Sequence, residues 1–228
     1  MNQKPGTFWD QAPIVLEPSG IPASACVVWL HGLGADGQDF VPVAQAMASN
    51  GVRHILPHAP RRPVTLNQGM VMRAWYDIAL DGTRWIPNDD DLLASSRAVA
   101  DILRAQMAQG MDPWRLFLAG FSQGGAVALA CATHEFQQLG GVLALSTYLP
   151  MPDTLPSAGT PPLPIFMAHG TDDGVISWER GQRSQLTLQQ AGYPVTWHSY
   201  PMAHSVCLEE IQDMTDWLTP LLTSRQTA

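Results

Sequence analysis

An α/β architecture with a mostly parallel central sheet is predicted by three features of this 228-residue sequence. Short apolar β-type runs alternate with longer helix-periodic segments, the pattern produced by right-handed βαβ crossovers. The run Cys26-Val27-Val28-Trp29-Leu30 is apolar throughout, as a strand covered on both faces must be. The clearest helical patterns each carry one apolar stripe, which places them as flanking layers on the sheet.

In chain order, an N-terminal segment, 1–24, whose first six residues are polar, precedes the first strand, 26–30, which ends on His31-Gly32. A helix fits 39–49 and a weaker strand 53–57. Residues 67–87 form an excursion rich in Gly, Trp and Asp. Asn88 caps a helix whose first turn, Asp89-Asp90-Asp91, suits the positive end of the helix dipole, and Gly110 closes it. Leu92, Val99, Ile102, Leu103 and Met107 share one face of that helix. Further strands fit 115–119, 142–145, 165–168 and 195–200, with helices at 123–135, 178–191 and 205–222. The segment 150–164 is a Pro-rich loop. Neither irregular stretch reads as an interdomain linker, so residues 1–228 are expected to form one domain with two functional loops and no large separate cap.

Composition narrows the function. Apolar residues make up 46% of the chain and charged ones only 14%, against about 25% in a typical soluble domain. Disorder requires the opposite balance. The net charge of −8, with one lysine and scattered arginines, argues against nucleic acid as a partner. No apolar run approaches the ~20 residues of a membrane span, and no long apolar stretch follows the N-terminus to read as a secretory signal. Cys26, Cys131 and Cys207 are odd in number and show no CxxC, as expected of reduced thiols in a cytoplasmic protein. No HxH, HExxH or zinc-type cysteine spacing calls for a metal.

The chemistry-bearing motif is Gly120-Phe121-Ser122-Gln123-Gly124, a G-x-S-x-G lying between a strand and a helix. In that setting small residues permit a strained turn that exposes a serine oxygen at a helix N-terminus, where free N–H groups favour developing negative charge. An ordinary helix-capping serine is the plain alternative. A nucleophilic serine needs a base, and the base an orienting acid, in the chain order Ser, acid, His. After the strand 165–168 comes His169-Gly170-Thr171-Asp172-Asp173, offering two aspartates. After the last strand comes Pro201-Met202-Ala203-His204, making His204 the candidate base. His198 lies inside a strand, His134 at a helix end and His54 near a strand start. His31 and His169 open Gly-containing loops and are expected to shape them. A Cys207–His204 dyad would lack an elbow and an acid. The oxyanion needs two N–H donors: Gln123, which follows the serine, and Leu33, between Gly32 and Gly34 in the loop after the first strand. Phosphate-loop and dinucleotide patterns both fail in that loop.

These segments resemble the carboxylesterase/acyl-protein thioesterase (phospholipase/carboxylesterase) family of α/β-hydrolases over about residues 25–222. The resemblance rests on Leu30-His31-Gly32-Leu33-Gly34, Pro57-His58-Ala59-Pro60, Arg62-Pro63-Val64-Thr65-Leu66-Asn67 and Trp75-Tyr76-Asp77. It continues in Gly120-Phe121-Ser122-Gln123-Gly124-Gly125, Leu145-Ser146-Thr147-Tyr148-Leu149-Pro150, His169-Gly170-x-x-Asp173 and Met202-x-His204-Ser205. It implies the α/β-hydrolase fold, with Ser122, Asp173 and His204 as triad and the Leu33 and Gln123 amides as oxyanion donors. The residues alone leave both aspartates open; the resemblance, through the family's H-G-x-x-D spacing, implies Asp173 over Asp172. The sequence departs from the family at Gly174-Val175-Ile176-Ser177, where many relatives carry a proline.

The resemblance further implies esters or thioesters of apolar acyl chains, no cofactor, and a monomer or homodimer. Trp75, Ile78, Leu80, Tyr148 and Val175 are the candidate substrate contacts, with Trp85 and Leu149 beside them and 67–87 as a lid or wall over the site. Trp29, Trp114, Trp197 and Trp217 are assigned to the core. A dienelactone hydrolase-like or lysophospholipase activity is the competing activity, and a non-catalytic ligand binder on the same fold the competing class.

Overall fold

The computed structural model describes residues 8–47, 51–82, 84–136 and 138–223. Its strands are β1 (Ile14–Leu16), β2 (Ala25–Leu30), β3 (Val52–Leu56), β4 (Arg61–Val64), β5 (Met70–Arg73), β6 (Ile78–Asp81), β7 (Arg84–Pro87), β8 (Leu116–Phe121), β9 (Gly141–Leu145), β10 (Ile165–Gly170) and β11 (Val195–Tyr200). Its helices are α1 (Val41–Ala46), α2 (Asp89–Ala108), α3 (Gln123–His134), α4 (Trp178–Gln190) and α5 (Leu208–Thr223).

Seven strands form one sheet in the order β1-β3-β2-β8-β9-β10-β11. Only the edge strand β1 runs antiparallel; every other neighbouring pair is parallel. Side chains of β2 alternate between two cores. Cys26, Val28 and Leu30 pack with α2 and α3 on one face, while Val27 and Trp29 join α1 and α5 on the other. Burial on both faces is why this strand has no polar position. Asn88 caps α2 as expected, its Oδ1 accepting the Asp91 N–H at 3.0 Å.

The chain leaves β2 toward β3 on one side and later returns to β8 on the other. That reversal is a topological switch point, and the crevice above it lies outside the carboxyl ends of the strands, where α/β sheets bind ligands. The loops after β2, β8, β9, β10 and β11 all open there.

Three differences from the sequence reading are physical. The helix expected over 39–49 begins as a 3-10 turn, Gly37–Phe40, capped by Asp36, and becomes α-helical only at Val41–Ala46; positions 48 and 49 lie outside the described residues. The last helix starts at Leu208 because 205–207 belong to the loop that carries His204. The excursion 67–87 is not irregular: β5 pairs with β4 and β6 with β7 in two antiparallel ribbons beside the main sheet, with no cap domain among the described residues. Of the tryptophans assigned to the core, Trp29 is fully buried, Trp197 and Trp217 are half-buried at its margin, and Trp114 is half-buried and belongs to neither core cluster. No helix is long and apolar enough among the described residues to cross a membrane.

Candidate active site

Ser122 sits between β8 and α3 with φ 54° and ψ −119°, a left-handed φ that a non-glycine residue holds only when its surroundings impose it. The surroundings do so. A side chain at Gly120 would collide with the Gly124 carbonyl, and one at Gly124 with the Leu30 carbonyl of β2. The Ser122 N–H donates to the Leu145 carbonyl at 2.9 Å, and Thr147 Oγ1 donates to the Ser122 carbonyl at 2.6 Å. Strands β8 and β9 therefore clamp the turn from both sides, and the serine faces the crevice.

Asp173 follows β10 with its carboxylate wholly shielded from solvent. Oδ1 accepts the backbone N–H groups of Val175 at 2.8 Å and Ile176 at 2.9 Å. Oδ2 accepts His204 Nδ1 at 2.7 Å. An ionised carboxylate only accepts, so the His204 proton resides on Nδ1 and Nε2 keeps its lone pair. His204 and Ser122 line the same cleft. Asp172, the neighbouring aspartate, is exposed, and among the described residues its side chain reaches only the Thr171 hydroxyl, at 3.5 Å.

A second histidine touches the acid. His169 Nε2 lies 2.8 Å from the Ile176 carbonyl and 3.3 Å from Asp173 Oδ2, so its proton is on Nε2. Its Nδ1 is buried with no hydrogen-bond partner among the described residues and faces Gly181 of α4, where any side chain would collide with the ring. Burial lowers the His169 pKa and keeps the ring neutral. The loop-shaping role read from sequence is seen here; contact with Asp173 was not foreseen, although the shared H-G-x-x-D segment held both residues.

Leu33 and Gln123 line the cleft, and among the described residues no protein acceptor takes either backbone N–H. The Leu33 loop is set by His31, whose Nε2 accepts the Ala59 N–H at 3.0 Å and whose Nδ1–H donates to the Gly32 carbonyl at 2.7 Å. Burial pushes the His31 pKa down to about 4, consistent with that neutral tautomer.

The cleft has a volume of about 550 Å³. Ile78, Tyr148 and Val175 line it, together with Trp85. Phe40, Val43, Phe121 and Val206 add apolar wall that the sequence reading did not single out. Two of the expected contacts are corrected. Trp75 has no exposed surface and its indole N–H is committed to the His31 carbonyl at 2.8 Å, so it stands behind the wall. Leu80 is half exposed on the β6–β7 ribbon and does not line the cleft. Leu149 lines an adjoining groove of about 890 Å³ that shares Trp85, Tyr148, Val175 and Ile176 with the cleft. The middle of the excursion is a pinned wall: Asp77 accepts the Thr65 N–H and hydroxyl at 2.7 and 2.6 Å, and the Tyr76 and Tyr148 hydroxyls meet at 2.9 Å. Cys207 stands outside the cleft, its Sγ accepting the Glu210 N–H at 3.5 Å. Among the described residues no three His, Cys, Asp or Glu side chains cluster to hold a metal ion.

Comparison with known proteins places this arrangement among its relatives. The model of the phospholipase/carboxylesterase family matches residues 12–222. Acyl-protein thioesterase 1 of Cryptococcus neoformans is 38% identical over 221 residues, covering 87% of this chain and 93% of that one. Acyl-protein thioesterase 1 of Neurospora crassa is 36% identical over 225 residues, covering 92% of each. The crystal structure of Zea mays acyl-protein thioesterase 2 superposes with a TM-score of 0.81 at 29% identity, covering 92% of this chain and 98% of that one.

Proposed function

The chain belongs to the phospholipase/carboxylesterase family of α/β-hydrolases and hydrolyses ester or thioester bonds, and on that premise we propose that it cleaves apolar acyl groups through an acyl-enzyme formed on Ser122. Ser122 Oγ attacks the acyl carbonyl while His204 Nε2 takes the hydroxyl proton. Asp173 keeps the imidazole in the Nδ1–H form and stabilises the imidazolium. The Leu33 and Gln123 N–H groups receive the oxyanion. Collapse of the tetrahedral adduct breaks the bond to the alcohol or thiol, which leaves with the proton from His204. Water then attacks the acyl-serine by the same route, returning the acid product and free Ser122.

The observation that carries the reading is the 2.7 Å Asp173–His204 bond at a cleft whose floor is a serine held at positive φ. The apolar lining supports acylated small molecules or acylated proteins as substrates. Three unpaired thiols support a reducing, cytoplasmic setting, and the enzyme acts as a monomer or homodimer. Residues 1–228 act as one domain in this reading.

Two assays test it. Ser122→Ala retains the fold and loses at least about a thousandfold in kcat, since triad members act as a unit; retained turnover of a model ester refutes the assignment. In a p-nitrophenyl ester series, each methylene buried in the cleft adds about 0.8 kcal/mol, roughly fourfold in kcat/KM, until the cleft is full. A flat series contradicts an acyl-binding cleft.

A further inference from the structure

Residues 73–76 cross behind the cleft between the two loops that carry the oxyanion donors. Toward the Leu33 loop, the Arg73 carbonyl accepts the Gly34 N–H at 2.9 Å, and the Trp75 indole N–H donates to the His31 carbonyl at 2.8 Å. Leu33 is thereby held from both sides in sequence. Toward the elbow, the Gln123 side chain is held at both ends: its Oε1 accepts the Trp75 backbone N–H at 2.8 Å, and its Nε2 donates to the Tyr76 carbonyl at 2.7 Å.

The crossing segment is itself anchored. The Ser95 hydroxyl of α2 donates to the Trp75 carbonyl. The buried Arg73 guanidinium donates to the Ala59 carbonyl at 2.6 Å, to Asp10 at 3.0 Å and to Gln11 at 2.7 Å. Ala59 in turn donates its N–H to His31. Trp75 also contacts the His31 ring, with centroids 5.2 Å apart, and is met edge-on by Trp9 at 6.2 Å.

Packing of Gly124 against the Leu30 and His31 carbonyls brings the two donor segments together, but no direct hydrogen bond joins the Leu33 loop to Gln123 among the described residues. One sits in a loop after β2 flanked by glycines, the other at the first residue of α3, and an oxyanion hole works only if both point at one position. We propose that the segment 73–76 is a tie that sets this spacing, with Trp75 and the Gln123 side chain as positioning residues; the proposal rests on the acyl-enzyme reading above. It gives Trp75 a role that does not require it to touch substrate.

The test uses an alkyl trifluoromethyl ketone. Ser122 Oγ bonds to its carbonyl carbon, the C=O π bond opens to an oxyanion between the two donors, and the hydroxyl proton passes to His204. The ketone's Ki is compared with KM for an ester of the same chain length; neither value depends on how much of a preparation is folded. Trp75→Phe keeps an aromatic ring and removes the indole donor. Gln123→Met keeps side-chain length and removes both side-chain bonds but leaves the backbone N–H. Each variant is expected to raise Ki about tenfold and lower kcat by a similar factor, less than deletion of a donor would cost, with KM within twofold of wild type. Trp29→Phe, which loses an indole bond to His54 on the other face of the sheet, leaves Ki unchanged. Unchanged Ki in Trp75→Phe and Gln123→Met, or Ki and KM rising together, overturns the tie and leaves the acyl-enzyme reading standing. A ketone that fails to inhibit the wild-type enzyme overturns both.

Discussion

The floor of the cleft and its outer wall are built by opposite means. At the floor, around Gly120–Gly125 and the Leu33 loop, backbone runs against backbone, and hydrogen bonds tie it to three other segments at Ala59, Trp75 and Thr147. At the outer wall, the β6–β7 ribbon supplies Ile78 and Trp85 to the cleft and meets the turn of the β4–β5 ribbon, and these short antiparallel pairs leave Met70, Val71 and Leu80 more than half exposed. The floor admits almost no change in volume, whereas the wall touches solvent on one side and the cleft on the other. On the acyl-enzyme reading, the floor sets the reaction geometry and the wall selects what enters the cleft.

The sharpest way to break this contrast is at Gly124. An alanine there drives its Cβ into the Leu30 and His31 carbonyls, and neither strand end is free to move. Gly124→Ala is expected to cost about 3 kcal/mol of stability, at the upper end of overpacking effects, and to cut kcat by at least about a hundredfold. Thermal melting and ester turnover measure both. A near-native Tm with near-native kcat would show that the floor is softer than described.

On the wall, the two ribbon residues Ile78 and Leu80 separate the cleft side from the solvent side. Ile78 is buried and lines the cleft, while Leu80 does neither. Ile78→Ala should raise KM for long-chain esters about tenfold, the worth of two or so methylene contacts. Leu80→Ala should change kcat/KM by less than twofold and stability by within about 0.5 kcal/mol, as surface changes do. Equal effects at both positions would erase the proposed two sides of the wall.

The smallest effect concerns Glu210 at the start of α5, near the loop that carries His204. Its side chain is fully buried, and burial pushes its pKa up to about 8 against a weaker opposing pull from the Cys207 backbone N–H. The folded protein thus holds a proton that the unfolded chain, with an ordinary carboxyl, releases at much lower pH. Stability from this group is fully present below the unfolded value near 4.5 and is lost as pH rises through about 8. Glu210→Gln removes that slope, so its Tm should gain on wild type progressively between about pH 5 and pH 8. Parallel Tm curves for the two proteins across that range would contradict a buried neutral carboxyl.

The same contrast governs what could be read without a structure. The floor was legible because its constraints are local or carried by motif: G-x-S-x-G between β8 and α3, loops at the ends of β2, β10 and β11, and histidines at the right places in chain order. The wall was not. In β4, Arg61, Arg62 and Pro63 carry no β-type alternation, and Pro63 opposes Val71 only because tertiary pairing sets that register. Strand β1 is three residues long, too short for any period to show. Trp75 looked like a substrate contact because an aromatic residue in a Gly-rich excursion is equally suited to line a cleft or to brace one. What decides is the distant Gln123 and His31, and no local pattern reports those partners. The two adjacent aspartates after β10 were separated only by the H-G-x-x-D spacing of the resemblance; the fold turns Asp173 inward onto two backbone N–H groups and His204 and leaves Asp172 in solvent.

The central claim is that one serine at the floor carries the acyl group. Reaction with an alkyl fluorophosphonate followed by peptide mass spectrometry tests it directly. A single adduct on Ser122 is expected, absent in Ser122→Ala and at least about a thousandfold slower to form in His204→Ala, where the oxygen loses its base. An adduct on any other residue, or ester hydrolysis that survives complete labelling, would contradict the account.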